Sequence, residues 1–413
     1  VVRDLVISVW TRRRTCWTRG EKPNILGLHS CYSLFESLDC RVAKTTQIAA
    51  ASTAEEGIVE AEPFLAGAES MSEAKKMLSL SPSSPIPFIK KRRLSASAKP
   101  SSTEQSSIVQ EWIPLHLSQS ELSLPLTFPT GQTFRWKRTA PLRYTGVVGP
   151  HLFSLVHRDG GVFYQVHSTS PTAAAESALL DFLNAGVSLT EIWLEFSRSD
   201  ARFSELACHF AGARVLRQDP HECLFQFLCS SNNNIARITK MVDYLSSLGE
   251  PLGVVGGMEF HQFPSVHRLA SISDQQLREA GFGYRAKYIT GTAKTLMSKP
   301  HNWLKSLRES ELNVAIDSLC TLPGVGPKVA SCVALFSLDQ HHAVPVDTHV
   351  WKIATKHLLP ELQGVRFSPK HHRQVADAFV KKYGTYAGWA QTLLFIAELP
   401  PQKALLQNRS NKN

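Results

Sequence analysis

The chain has 413 residues, of which 43% are hydrophobic, and this length allows two or three domains with a sizeable core. Its formal net charge of +10 favours a polyanionic partner, with nucleic acid ahead of a membrane surface. No uninterrupted apolar run approaches the roughly 20 residues of a membrane-spanning helix, so the sequence predicts no membrane partner.

The cysteine and histidine patterns argue against a metal site. The eight cysteines have no C-x-x-C spacing, and the chain contains no H-E-x-x-H. Such scattered cysteines are typical of reduced thiols in an intracellular protein. His341-His342 and His371-His372 are adjacent pairs, which favours surface loops over a shared metal ion. The sequence therefore predicts neither a metal nor a cofactor.

Residues 1–106 are predicted to form a poorly ordered extension. The segment from Ser79 to Ser107 is rich in Ser, Pro and Lys, a composition that cannot bury enough apolar surface to fold. Within it, Lys90-Lys91-Arg92-Arg93 is a candidate nuclear localisation signal. A solvated basic linker explains the same residues equally well. The prediction is a nuclear protein, with an organellar copy left open.

Residues 107–220 are predicted to form an antiparallel sheet domain with flanking helices. Alternating apolar residues from Leu122 to Phe128 indicate a strand, which Pro129-Thr130-Gly131 interrupts and Phe134-Arg135-Trp136 resumes. His151–His157 and Val162–His167 indicate a hairpin that turns at Asp159-Gly160-Gly161. Helices are predicted at about 171–184 and 200–210.

Residues 221–403 are predicted to be almost wholly helical, which makes the fold class α+β, and residues 404–413 form a tail. Pro220 can open a helix that runs to Cys229, and a polar run separates it from a helix over Ile235–Leu248. Ser273 and Gln276 form a capping-box pattern. Further helices are predicted over 285–297, 309–320, 327–338, 348–358, 369–382 and 386–397.

A glycine hairpin joins the helices predicted over 309–320 and 327–338. Pro323 blocks continuation of the first helix, and Gly324 and Gly326 permit a tight turn with bare backbone N–H groups. Pro327 suits the first position of the second helix. Free amides at a helix start bind anions, and a DNA phosphate is the anion that we expect.

Two charged residues near this hairpin suggest catalysis. Lys328 lies in the first helical turn, where the helix dipole disfavours an ammonium ion, and a desolvated neutral amine is a nucleophile. Asp347 follows an apolar run and precedes a predicted helix from Thr348, so it suits an N-cap. Taken singly, each is more simply a surface charge and a helix cap. Together they suit displacement at a sugar carbon, where the transition state is oxocarbenium-like.

The segments LPGVGPKVA and VPVDTHVW resemble the helix-hairpin-helix and Gly/Pro/Asp motif of DNA glycosylases. In detail the chain is similar to the eukaryotic 8-oxoguanine DNA glycosylase family from about Ile113 to Leu399. The motifs that carry the likeness, in the family's order, are GQTFRW, RQDPHECLF, CSSNNNIARI, GFGYRAKYI and GWAQTLLF. No cysteine follows Cys332, so the four-cysteine iron–sulfur loop of some relatives has no place after Asp347.

The resemblance implies a role for each of several residues. Lys328 is the implied nucleophile and Asp347 its carboxylate partner. The residues implied to bind the damaged base are Gly131, Cys332, Phe336 (where a Met is common), Gln391 and Phe395. The residues implied to contact DNA are Asn232, Arg237, Tyr284, Arg285, Gly324, Gly326 and His349. Without the resemblance, most of these positions would be ordinary core, turn or surface residues.

The implied activity is excision of 8-oxoguanine from double-stranded DNA through a lysine Schiff base, followed by β-elimination at the abasic site. A nucleophile cannot reach the sugar carbon of a stacked nucleotide, so the base must leave the duplex. The pocket is therefore expected between the helical block and the sheet domain, in a monomeric enzyme. Two alternatives remain at this point: a non-catalytic helix-hairpin-helix DNA-binding protein, and a sibling glycosylase for another damaged base.

Overall fold

A computed structural model describes residues 111–167, 172–368 and 370–403. The predicted extension over 1–106, with its basic segment at Lys90–Arg93, and the predicted tail over 404–413 lie outside these ranges. In the described part of the chain, no helix is both long and apolar enough to cross a membrane.

The first element group is a five-stranded antiparallel sheet with the strand order β1-β5-β4-β3-β2. The hairpin predicted from His151 is confirmed, and its turn at Asp159 and Gly160 has positive φ at both residues (48° and 76°). The elements are β1 (Ile113–Ser118), β2 (Lys137–Ala140), β3 (Arg143–Val148), β4 (His151–Arg158), β5 (Gly161–Val166), α2 (Thr172–Phe182), α3 (Leu189–Ser199) and α4 (Ala201–Phe210). A short helix, α1 (Leu124–Thr127), and a 3-10 turn (Phe128–Thr130) lie between β1 and β2.

The strand predicted over Leu122–Phe128 is wrong, because α1 occupies this segment. Pro125 lies in the first turn, where its fixed φ favours a helix. Leu124 and Phe128 are both fully buried at helical spacing in one core, whereas Leu126 between them packs against the other core, so the apparent alternation comes from two faces of a helical turn.

The strand predicted to resume at Phe134-Arg135-Trp136 begins only at Lys137. The Phe134 amide donates to the side-chain Oε1 of Gln226 at 2.9 Å instead of to a neighbouring strand. Phe134 packs in the helical core, whereas Trp136 stacks on Phe128 in the core below the sheet, with ring centroids 4.2 Å apart. This segment therefore crosses from one core to the other.

The remaining elements are mainly helical, as predicted. They are α5 (Pro220–Leu228), α6 (Ile235–Ser246), α7 (Val266–Ser271), α8 (Asp274–Glu279), α9 (Arg285–Met297), α10 (Trp303–Ser306), α11 (Leu312–Cys320), α12 (Pro327–Ser337), α13 (Thr348–His357), α14 (Lys370–Tyr383) and α15 (Ala387–Glu398). The unpredicted exception is a two-stranded hairpin, β6 (Pro251–Val255) and β7 (Met258–His261). Its Val255 and Phe260 pack against Val147 and Leu152 of the large sheet.

His221, in the first turn of α5, is held in its neutral form by burial. Its ring packs against Phe225 and Phe263, with ring centroids 5.0 and 5.4 Å away, and its buried Nε2 has no hydrogen-bond partner among the described residues. Burial lowers the pKa of His221 from 6.5 to about 4, opposed by Asp219 and reinforced by Arg135. As the pH falls below about 6.5, the unfolded chain therefore binds this proton before the folded chain does.

His221→Phe is expected to remove this pH-dependent loss of stability. Between about pH 7 and pH 4.5 the free energy of unfolding of the unchanged protein should fall by about 2 kcal/mol more than that of the variant. Urea unfolding of both proteins at the two pH values measures this difference. An equal fall in both proteins would show that the folded protein protonates His221 as readily as the unfolded chain does.

Candidate active site

The hairpin between α11 and α12 has the geometry that its glycines predict. Gly324 has a φ of 80°, and the Val325 amide donates to the Leu322 carbonyl at 3.1 Å. The Thr292 hydroxyl of α9 donates to the Pro323 carbonyl at 2.8 Å and anchors the turn. Among the described residues, no acceptor pairs with the amides of Gly324 and Gly326, so these N–H groups remain available.

The two glycines differ in the space around them, and this gives a test of the hairpin. A Cβ at Gly324 would lie 2.3 Å from Cγ of Tyr288, whereas a Cβ at Gly326 would meet no atom within 4 Å. Gly324→Ala is therefore expected to lower the free energy of unfolding by about 1–3 kcal/mol. Gly326→Ala, with φ at −107°, is the matched control and should be nearly neutral in thermal unfolding. Equal effects of the two changes would contradict this geometry.

Lys328 is the second residue of α12 and is half-buried. Its ammonium nitrogen lies 5.2 Å from the centre of the Phe227 ring and 3.4 Å from the Ser230 hydroxyl. Among the ion pairs of the described residues, none joins Lys328 to a carboxylate. The Lys328 amine therefore lies over an aromatic ring, and no carboxylate of the described residues forms an ion pair with it.

Cys332 lies one helical turn after Lys328 and is 2% exposed. Burial raises the pKa of the Cys332 thiol, Lys328 opposes this rise by its charge and by hydrogen bonding, and the Asp347 carboxylate adds to it. The charges of both predicted catalytic residues therefore influence the pKa of this thiol.

Asp347 is the N-cap of α13, as predicted. Its Oδ1 accepts hydrogen bonds from the amides of His349 and Val350, both at 2.9 Å. Within the described chain, its Oδ2 has no hydrogen-bond donor. The Val346 amide donates to Nε2 of His372 at 3.3 Å, and burial lowers the pKa of His372, which favours the neutral ring that accepts this bond. The carboxylate is thus fixed by its own helix and by α14.

The residues expected to bind a base come from several helices. Phe336 stacks on Phe227 with centroids 5.5 Å apart, and the ring of Phe395 meets that of His349 edge to face at 5.9 Å. Gln391 is only 4% exposed, yet its side-chain amide bonds to no other described residue. An amide that no described residue pairs is consistent with a group that can bind a ligand.

Gly131 lies at the end of the 3-10 turn, with a φ of 86°. Its carbonyl accepts no hydrogen bond from a described residue. A Cβ at this position would lie 3.3 Å from Cδ1 of Ile235, the first residue of α6. The Gly131 turn therefore packs against the segment that carries the expected DNA-binding asparagines.

Three of the residues expected to contact DNA, Asn232, Tyr284 and Arg285, are joined through the backbone of Ser231 and Asn232. Asn232 is exposed and has a φ of 46°, and Tyr284, 47% exposed, donates from its hydroxyl to the Ser231 carbonyl at 3.0 Å. The Arg285 guanidinium is buried and donates to the carbonyls of Ser231 and Asn232. Arg237 is exposed and donates to the Gly281 carbonyl at 3.1 Å. Arg285 therefore holds the backbone of the asparagine turn.

Sequence reasoning missed three residues of this site: Phe227, Ser230 and His372. Phe227 lies on a helix that the sequence predicts, but nothing in its local pattern indicates that it will meet Lys328. Ser230 opens the polar run that marks a helix end, and this was its only signal. No group of three or more His, Cys, Asp or Glu residues in the described ranges could hold a metal ion.

A cavity of about 210 Å³ is present among the described residues, and Lys328 is not one of its lining residues. The cavity lies between the β3–β4 turn, α2 and α10. Its charged lining residues include Asp181, Arg217, Glu222 and Arg308. Arg217 is already paired with Asp181 and Asp339. The expected opening beside Lys328 therefore stays a prediction.

Comparison with known proteins gives a consistent result. Residues 114–224 match the family model for the 8-oxoguanine DNA glycosylase N-terminal domain, and residues 225–381 match that of HhH-GPD superfamily base excision DNA repair proteins. N-glycosylase/DNA lyase OGG1 of Arabidopsis thaliana is 65% identical over 305 residues, covering 73% of this chain and 84% of that protein. The N-glycosylase/DNA lyase of Saccharomyces cerevisiae is 33% identical over 326 residues, covering 69% and 85%.

A solved structure agrees with these relatives. Clostridium acetobutylicum 8-oxoguanine glycosylase/lyase, in complex with double-stranded DNA containing cytosine opposite to 8-oxoG, is 27% identical to this chain. The two structures superpose with a TM-score of 0.60, and the match covers 67% of this chain and 91% of that one.

Proposed function

This chain belongs to the eukaryotic 8-oxoguanine DNA glycosylase family, and we propose that it excises 8-oxoguanine from duplex DNA with Lys328 as the nucleophile. As a member it is a bifunctional N-glycosylase and DNA lyase of base excision repair. The observation that carries the residue assignment is the placement of the half-buried Lys328 amine over the Phe227 ring, with no carboxylate paired to it among the described residues.

The reaction begins with extrusion of the damaged nucleotide. Unpairing costs a few kcal/mol, and phosphate contacts and side chains that fill the gap offset this cost. The free amides of Gly324 and Gly326, with His349, would bind phosphates, while Asn232, Tyr284 and Arg237 would occupy the space that the base leaves. Arg285 would act behind them by holding the Asn232 carbonyl at 2.9 Å.

The Lys328 amine would then displace the base. A bond forms between Nζ and C1′, the C1′–N9 bond breaks, and the base leaves with the bonding electrons and takes up a proton. Positive charge develops on the sugar in this step, and the Asp347 carboxylate stabilises it. Loss of an amine proton and opening of the sugar ring give an imine between Lys328 and C1′.

The lyase step follows from this imine. The iminium form acidifies the protons on C2′, and removal of one of them forms a C2′–C3′ double bond and expels the 3′ phosphate by breakage of the C3′–O bond. The strand is thereby nicked 3′ to the lesion. Hydrolysis of the imine returns the free Lys328 amine.

Selectivity would come from the Gly131 carbonyl. 8-Oxoguanine carries a proton on N7, whereas guanine presents a lone pair there, so a carbonyl attracts one base and repels the other. A single hydrogen bond of this kind contributes about 1–3 kcal/mol of discrimination. Phe395 and Cys332 would contact the two faces of the base, and Gln391 its pairing edge, with Phe336 lining the pocket.

Cleavage of labelled duplexes, with 8-oxoguanine opposite each of the four bases, tests the proposal. We expect strand nicking at 8-oxoguanine and a covalent protein–DNA adduct when borohydride is present, because borohydride reduces the imine. Binding of these duplexes without excision would favour a non-catalytic protein, and excision of a different damaged base would favour a sibling glycosylase. Excision without an adduct would remove Lys328 from the mechanism.

A nuclear location and a monomeric state remain predictions. The basic segment Lys90–Arg93 lies outside the described residues, so the structure gives it no further support. The double-stranded DNA partner follows from the family.

A further inference from the structure

Three buried glutamine side chains lie directly behind the Gly131 turn. Gln132, Gln218 and Gln226 are 2%, 2% and 1% exposed, and they come from the turn, from the segment before α5 and from α5 itself. We call these three residues the amide ring. Buried amides are costly unless they are hydrogen-bonded, and a fully bonded network rigidifies the groups that it joins.

The Gln132 side chain fixes the residue next to Gly131. Its Nε2 donates to the carbonyls of Thr127 at 3.0 Å and Arg214 at 2.9 Å, and its Oε1 accepts from the Leu216 amide at 3.0 Å. The Gln132 side chain is therefore bonded to the backbone at Thr127, at the start of the turn, and to the backbone of the segment before α5, at Arg214 and Leu216. The turn cannot shift without breaking these bonds.

Gln218 joins the turn to the helix of the proposed nucleophile. Its side-chain Nε2 donates to the Gln132 carbonyl at 2.6 Å, and its backbone amide donates to the Phe336 carbonyl of α12 at 2.7 Å. One residue therefore connects the Gly131 turn to the helix that carries Lys328.

Gln226 closes the ring. Its Nε2 donates to Oε1 of Gln218 at 3.1 Å, and its Oε1 accepts from the Phe134 amide at 2.9 Å. The next residue, Phe227, lies beneath the Lys328 amine and stacks on Phe336. The amide ring therefore links the Gly131 turn to α5 and α12, the two helices that hold the Lys328 amine.

We propose that the amide ring is a positioning element that sets the separation between the Gly131 carbonyl and the Lys328 amine, and through it the recognition of 8-oxoguanine. This inference rests on the proposed function, in which that carbonyl reads N7. A misplacement of about 1 Å in a reacting arrangement can cost up to a hundredfold in rate. The rate of excision should therefore depend on the amide ring. Cleavage of an abasic site should not, because an abasic site has no base for the Gly131 carbonyl to bind.

The test compares these two activities in one protein. Gln226→Met keeps the side-chain volume but removes both side-chain hydrogen bonds of residue 226. We expect single-turnover excision of 8-oxoguanine to fall about tenfold, with cleavage of a preformed abasic site changed less than about twofold. Gln340→Met is the matched control, because Gln340 is also buried and its Nε2 donates to the Ser310 carbonyl outside the ring. Both activities of this control should stay within about twofold of the unchanged protein.

A second variant distinguishes the loss of a positioning hydrogen bond from a loss of core packing. Gln226→Glu keeps the acceptor for the Phe134 amide, and only its protonated form can donate to Gln218. Relative to the unchanged protein at each pH, its ratio of excision to abasic-site cleavage should rise as the pH falls. A defect of packing alone would have no such pH dependence.

The outcomes separate this inference from the proposed function. If the unchanged protein does not excise 8-oxoguanine, the proposed function fails and the inference fails with it. If it does excise, and the ratio of the two activities is unaltered in Gln226→Met and in Gln226→Glu at every pH, only the positioning role is overturned. A selective loss of excision in Gln226→Met that is absent from Gln340→Met, together with a ratio that rises in Gln226→Glu as the pH falls, supports the positioning role. A selective loss without that pH dependence is a packing defect and also overturns the positioning role.

Discussion

Lys328→Gln is expected to abolish excision of 8-oxoguanine and cleavage of abasic sites together, with a rate loss of about a thousandfold or more. A glutamine amide is not a nucleophile, yet it has a similar length and can still donate to the Ser230 hydroxyl, which lies 3.4 Å from the lysine nitrogen. The loss should therefore be chemical. Single-turnover cleavage of 8-oxoguanine and abasic duplexes, with borohydride trapping, measures it.

Binding separates this loss from a loss of DNA affinity. The Gly324 and Gly326 amides are unchanged in Lys328→Gln, so we expect the dissociation constant for 8-oxoguanine duplex to stay within about fivefold. Lys305→Gln is the control for removal of one positive charge, because Lys305 is an exposed lysine of α10. It should retain full activity. Excision by Lys328→Gln at a rate near that of the unchanged protein would mean that another group attacks the sugar.

The parts of the fold that the sequence predicted well are those with local signals. Pro327 begins α12 and Asp347 caps α13, because a proline at N1 and a carboxylate at the N-cap act within one helical turn. The helix predicted over 285–297 is confirmed as α9 with the same bounds. In these places the sequence neighbours and the spatial neighbours are the same residues.

The parts that it missed depend on distant neighbours. The β6–β7 hairpin is stabilised by Val147 and Leu152 of a strand pair far away in the sequence, and its own pattern is weak. Phe227 and Gln226 are ordinary helical residues until α12 and the Gly131 turn pack against them. The hydrophobic periodicity of one segment does not reveal such contacts, because they are set by the tertiary fold.

The role of the charged residue Arg285 also depends on neighbours that are distant in the sequence. The family resemblance implied that Arg285 contacts DNA. In the fold it is 2% exposed, and its guanidinium holds the carbonyls of Ser231 and Asn232. An arginine in such a place can shape a DNA-binding surface from behind, and sequence alone does not distinguish that role from a direct phosphate contact.

Asp347 is the residue for which structure and chemistry can be separated most cleanly. Its carboxylate caps α13 through two amide hydrogen bonds of 2.9 Å, and asparagine caps helices about as well as aspartate does. Asp347→Asn should therefore keep the stability of the protein but lose the charge that stabilises the sugar cation. We expect excision to fall about a hundredfold or more, with little change in the thermal unfolding midpoint.

Asp347→Ala removes both the charge and the cap, so it should show the same loss of rate and an additional loss of about 1 kcal/mol in the free energy of unfolding. Ser265→Ala is the matched cap control, because the Ser265 hydroxyl accepts from the Arg268 amide at 3.2 Å at the start of α7. It should cost comparable stability and leave the rate of excision unchanged. If Asp347→Asn excises 8-oxoguanine at an undiminished rate while Asp347→Ala does not, Asp347 acts only through its helix. Stabilisation of the sugar cation must then come from another group.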